Sequence, residues 1–183
     1  MRIKIATALI GLSCLAVVPA LAQTPPPPPP AEAKTSAMPY VMAAGASDQF
    51  EIQSSQIAVA KSPNAATRRY AQMLIRHHQK TTAATTKAAT RAKMAPMAPA
   101  LDPGAAPSIA ELNAAAPADF DRVYFGQQVP AHQAALELHQ SYAANGDQAP
   151  LKATARAAVP IVQQHLTAAQ TMMSAMPASM SGM

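Results

Sequence analysis

Five histidines and one acid carry whatever chemistry this 183-residue chain performs. RHHQK places His77 and His78 side by side in a long helical pattern, and His132, His139 and His165 follow in two further patterns. In the pattern that holds Tyr70, Leu74 and Thr81, His78 falls on the apolar face, and His77 is turned about 100° toward solvent. His165 sits in the stripe Leu151, Thr154, Ala158, Ile161, Ala168, Met172. His132 and His139 run down the flank of a stripe marked by Phe120, Tyr124, Ala131 and Leu138. Glu51 belongs to an earlier helix, after Ala44 and Asp48 and before Ser55. Glu51, His78, His132 and His165 each fall near the midpoint of their own helix. At 1.5 Å rise per residue that is about 20 Å in, so the four meet at one level whichever way each helix runs. Three imidazoles and a carboxylate form a donor set for zinc, copper or iron, with His77 and His139 as further candidates. The competing expectation is a neutral polar cluster that specifies packing and binds nothing.

The helices that must position these residues are legible from their punctuation. The first spans about Met38 to Lys61, with Ser36 as its cap and Pro39 in the first turn. Ser62-Pro63 ends it and opens the second, which runs to about Lys93, so these two are antiparallel neighbours. The third runs from Asp119 to about Ala144 and closes at Asn145-Gly146. Asp147 then caps a fourth from about Pro150 to Met173. Pro130 and Pro160 fall inside these last two and predict kinks. Met94 to Ala118 is a proline-punctuated crossover with one short helix, announced by the capping box Ser108-Ile109-Ala110-Glu111. Strand patterns are missing. The expected fold is an all-α, ferritin-like four-helix bundle of two helical hairpins joined by one long crossover. The many alanines predict a thin core, since each buries little area.

The ends set the location. MRIK, then IATALIGLSCLAVV, then Ala20-Leu21-Ala22 read as a bacterial secretory signal peptide over 1–22. A lipoprotein anchored at Cys14 is the alternative, and Gly11-Leu12-Ser13 suits it poorly. Without that lone cysteine the mature chain offers no disulfide, thiolate ligand or Cys nucleophile. Residues 23–37, with six consecutive prolines, read as a stiff spacer lifting the domain off whatever it is attached to. The bundle is assigned to 38–176 and a flexible Met-rich tail to 177–183. No mature stretch approaches the roughly 20 apolar residues of a membrane span. Twelve bases against nine acids leave the mature chain at +3, too scattered for a nucleic-acid surface.

Eleven methionines add a second feature. Met-x-x-Met recurs at Met94/Met97, Met173/Met176 and Met180/Met183. Thioethers are soft ligands suited to copper(I), and tails of this composition are also common without any ligand.

Taken in order, FEIQSSQIA, YAQMLIRHHQK, FDRVYFGQQVPAHQAALEL and LKATARAAVPIVQQHL resemble the signature segments of the bacterial domain of unknown function 4142, over about Met38 to Met172. That family is ferritin-like and often labelled an outer membrane protein, with no agreed activity. The resemblance implies polar core residues at Glu51, His78, His132 and His165, and a helix-opening acid at Asp121. The family places Asp before the second-helix histidine, where this chain has His77. Either an orienting acid is lost or a ligand gained.

Function at this level divides three ways. The first expectation is a non-enzymatic structural or stress-related protein of the periplasm or outer envelope, attached through its linker. The second is a metal-binding module with copper-binding Met pairs. The third, a small metal-dependent oxidoreductase, is the weakest, and no nucleophile-and-base arrangement supports catalysis without metal. Ala-rich helices carry no Glu-x-x-His pair, which argues against a carboxylate-bridged di-iron centre.

Overall fold

The computed structural model describes residues 23–176; the signal-peptide and Met-tail assignments lie outside them. Five α-helices account for most of the described chain: α1 Ala37–Lys61, α2 Ala65–Arg91, α3 Ala106–Ala114, α4 Phe120–Asn145 and α5 Ala149–Ser174. The four long ones form the expected bundle, and no strand occurs among the described residues. Packing pairs α1 with α2 and α4 with α5, and then sets α1 beside α4 and α2 beside α5. Tyr40 at the start of α1 stacks on Tyr142 near the end of α4, with ring centroids 3.9 Å apart. Ser55 near the end of α1 meets Tyr124 at the start of α4. These contacts make α1 and α4 antiparallel, so the crossover must travel the full length of the bundle.

Local chemistry explains the hairpins. Asn64, rather than Ser62, caps α2 by accepting from Ala66 N–H at 2.8 Å. Ser62 instead donates to Asp121 Oδ1 at 2.6 Å, and Thr67 donates to Asp121 Oδ2 at 2.9 Å. One carboxylate at the start of α4 thereby fastens the α1–α2 turn. The α4–α5 turn closes differently from its sequence pattern. Gly146 has φ −62°, so no left-handed cap forms, and the glycine is needed for space. A Cβ there would stand 2.5 Å from the Tyr142 ring. Asp147 accepts from the Tyr142 hydroxyl at 2.8 Å instead of capping α5.

Other expected caps also move. Ser36 occupies the N-cap of α1 without a side-chain bond. α3 begins two residues before the Ser108 box, because the turn Pro103–Ala105, capped by Asp102, already leads into it. Ser108 is buried within the helix, and Glu111 accepts from Gln127 Nε2 and from Thr24 N–H, at 2.9 Å each. Both α4 and α5 remain continuous through Pro130 and Pro160.

The proline segment is not a free spacer. It is a strap laid along the bundle. Gln23 reaches the Arg122 carbonyl near the start of α4, and Thr35 O accepts from Asp147 N–H past its other end. Ala33, in the short turn Ala31–Lys34, is fully buried. Extended proline chain advances about 3.1 Å per residue, enough for these dozen residues to cover a helix of this length.

Two apolar clusters fill the ends of the bundle. One gathers Tyr40, Leu138, Tyr142 and Leu151; the other gathers Leu74, Leu112, Phe120, Tyr124 and Phe125. Between them lies a polar layer, Asp48, Glu51, His78, Gln128, His132 and His165 all buried at mid-height, flanked by a small third apolar cluster of Phe50, Ala105 and Ala131.

Candidate metal centre

α2, α4 and α5 each send one buried histidine into that middle layer. One donor atom from each of His78, His132 and His165 lies within 4.8 Å of those of the other two. Their rings sit 5.3 to 5.8 Å apart, centroid to centroid. Donors about 2.0 Å from one ion stand about 3.3 Å from each other in a tetrahedral arrangement, so modest contraction closes the site.

The outer partners decide which nitrogen faces inward. His78 Nδ1 bonds Asp48 Oδ1 at 2.8 Å, and a carboxylate accepts, so the neutral ring keeps its proton on Nδ1. His132 Nδ1 donates to the Gln128 carbonyl at 2.9 Å. His165 Nε2 meets His77 Nδ1 at 2.8 Å. Left over are His78 Nε2, His132 Nε2 and His165 Nδ1, all buried and without a hydrogen-bond partner. Buried ring nitrogens are ordinarily satisfied. Three orphans, each on a ring whose other nitrogen is engaged, form the ligand-and-orienter pattern of histidine metal sites.

Asp48 was not singled out as a functional residue by its sequence position. It is buried in α1 and also accepts from Thr81 at 2.9 Å and from Thr82 at 2.7 Å. The signal available was its spacing three residues before Glu51, one turn of the same face. His77 resolves the family departure: it is a half-exposed outer partner of His165, stacked on it with centroids 5.1 Å apart. The orienting acid is supplied to His78 by α1 instead.

Glu51 arrives beside the histidines but not among the three convergent donors. Its Oε1 lies 3.6 Å from His132 Nδ1, the nitrogen turned toward Gln128. Both carboxylate oxygens are buried and lack a hydrogen-bond partner. His139, the other further candidate, stands outside the trio. It pairs with the Tyr40 hydroxyl at 3.0 Å in the end cluster, away from the triad. The α5 face is rotated slightly from its expected stripe: Ala155, Val162 and Ala169 are buried with His165, and Ile161 and Ala168 only partly.

Electrostatics follow burial. Desolvation, with the charge of His78 adding, lowers His132 to about 3 and His165 to about 2. Burial alone would lower His78 too, but its bond to Asp48, the charge of that acid and that of Glu51 raise it above the ordinary value. Desolvation lifts Glu51 to about 7, against the pull of His78. A cation placed among the imidazoles would draw Glu51 toward its charged form and displace any proton from His78.

The fold and this layer define a class: a helical bundle with a buried three-histidine cluster at its centre. The profile of the domain of unknown function DUF4142 matches residues 22–172, and the chain belongs to that family. Among curated proteins, none matches the sequence. Solved structures similar in fold include two forms of CopM. CopM in the Cu(II)-bound form superposes with a TM-score of 0.64 at 14% identity, covering 76% of this chain and 96% of that one. CopM in the Cu(I)-bound form gives 0.62 at 16% identity, covering 74% and 93%.

Proposed function

We propose that this chain is an exported helical-bundle protein that holds one transition-metal ion, copper foremost, between His78, His132 and His165. The observation that carries the reading is the trio of buried, unpartnered ring nitrogens, each opposed by an engaged one. Imidazole donors suit copper, zinc and iron alike. The copper-bound states of the structurally similar CopM proteins favour copper. Export, to the periplasm or outer envelope, rests on the leader-like pattern of residues 1–22. No helix among the described residues is long and apolar enough to cross a membrane.

The side chains divide the work. Asp48, the Gln128 carbonyl and His77 fix ring orientation and tautomer. Glu51 supplies the compensating negative charge within the same layer. The two aromatic end clusters close the layer to bulk water. Bound copper would contribute Lewis acidity and, when its remaining position is open, one-electron chemistry.

The test is equilibrium loading with Cu(II) and Zn(II) after chelation. Wild type and a His139→Gln control are expected to retain one equivalent, and His78→Ala/His165→Ala none, with helicity by circular dichroism confirming that each is folded. Negligible loading of all three would overturn the reading and leave an inert polar cluster in a structural envelope protein.

A further inference from the structure

The described surface exposes four large apolar side chains, Met38, Met42, Met97 and Met173, and all four are methionine. Three of them line one cleft. This cavity, of about 590 Å³, opens between the start of α1, the end of α2 and the crossover, and Met94 completes its methionine set. Met38 and Met42 are one helical turn apart and so project from the same face of α1. Met94 and Met97 come from the proline-rich crossover, which approaches α1 so closely that a Cβ on Gly45 would stand 3.2 Å from Pro99. Sequence spacing paired Met94 with Met97; only the fold adds the α1 pair, 52 residues or more away.

Charge in the lining is one-sided. Glu32 and Asp102 contribute carboxylates, and no lysine, arginine or histidine lines the cleft. Val41 and Leu101 share the lining, but thioethers outnumber them, whereas a cleft filled only by the chain itself would be expected to favour such branched residues, which specify packing better than the flexible thioether. Thioethers prefer soft cations, and acids nearby favour positive charge without competing as soft ligands.

We propose that Met38, Met42, Met94 and Met97 form a second, thioether site for a soft monovalent cation, Cu(I) or its surrogate Ag(I). The site is separate from the histidine triad but connected to it. Thr82, in the wall of the cleft, donates to Asp48 Oδ2 at 2.7 Å, and Asp48 holds His78. Thr82 thus links the wall of the cleft to the buried acid that orients His78.

Ag(I) titration of the full-length protein labelled with ¹³C at the methionine methyls tests this directly. The expected result is a shift of the Met38, Met42, Met94 and Met97 methyl signals that saturates at one equivalent. It should persist in His78→Ala/His132→Ala/His165→Ala, which separates it from the fate of the triad reading. Replacing the four residues by leucine keeps the apolar lining and should lower anaerobic Cu(I) uptake by one equivalent, with Cu(II) loading unchanged. Shifts confined to Met173, Met176, Met180 and Met183, or equal Cu(I) uptake in the leucine variant, would overturn the proposal.

Discussion

Asp48→Asn removes a buried charge from the outer layer of the triad while preserving shape. In the native protein the carboxylate takes His78 Nδ1 at 2.8 Å, Thr82 at 2.7 Å and Thr81 at 2.9 and 3.0 Å. The amide oxygen of asparagine can still accept from His78, with its NH₂ turned to the Thr82 hydroxyl, so the helices should pack as before. What changes is the basicity of the imidazole. Asp48 raises His78 both as hydrogen-bond acceptor and as a charge, against a desolvation that lowers it. Loss of such an outer partner typically costs about 10- to 100-fold in metal affinity, or about 1.4 to 2.7 kcal/mol. Competition titration of Cu(II) against a chelator of known affinity reads that change. An affinity within twofold of wild type, in a variant of unchanged helicity, would refute the claim that Asp48 tunes a ligand.

Three further outcomes follow from the geometry. Metal-free protein should lose stability as pH falls from about 6.5 toward 4.5. There the unfolded chain protonates three histidines that burial holds at about 3, 2 and 4 in the fold (His132, His165, His139). Glu51, raised to about 7, opposes this by one proton, and His78, also raised, opposes it until the unfolded imidazole is itself protonated; below about pH 6 the net is two, or about 3 kcal/mol per pH unit, measurable by urea denaturation. Glu51→Gln should stabilise metal-free protein at pH 8 by about 3 kcal/mol, since the fold then no longer ionises a carboxyl that burial disfavours; no gain would place Glu51 in water. Gly146→Ala should cost about 1 to 3 kcal/mol by driving a methyl into the Tyr142 ring, and an unchanged thermal midpoint would contradict that packing.

The sequence made the helices legible because prolines and the Asn-Gly pair punctuate strongly periodic segments. Connectivity followed from turn length, and the common height of the histidines followed from counting along each helix. What escaped was set by neighbours. Asp48 looks like any acid one turn from Glu51 until α1 packs against α2 and brings it to His78. Glu51 shares the layer, yet its rotation about the α1 axis aims it at the flank of His132. His139 stands two turns, about 10 Å, along α4 from His132, too far to reach the same ion, and Tyr40 claims it. The caps of α2 and α5 shifted by two residues and by one because Asp121 takes the Ser62 hydroxyl and Tyr142 takes the Asp147 carboxylate, and α3 starts early because Asp102 caps the turn that leads into it. The proline segment keeps its extended character, and its docking depends on tertiary partners, Gln23 to α4 and Thr35 to Asp147, that composition does not reveal.

Anomalous diffraction at the copper edge, from crystals loaded with one equivalent of Cu(II), tests the central claim most directly. The account predicts one peak about 2 Å from His78 Nε2, His132 Nε2 and His165 Nδ1. Copper found only on exposed side chains, with the three nitrogens still apart, would contradict it.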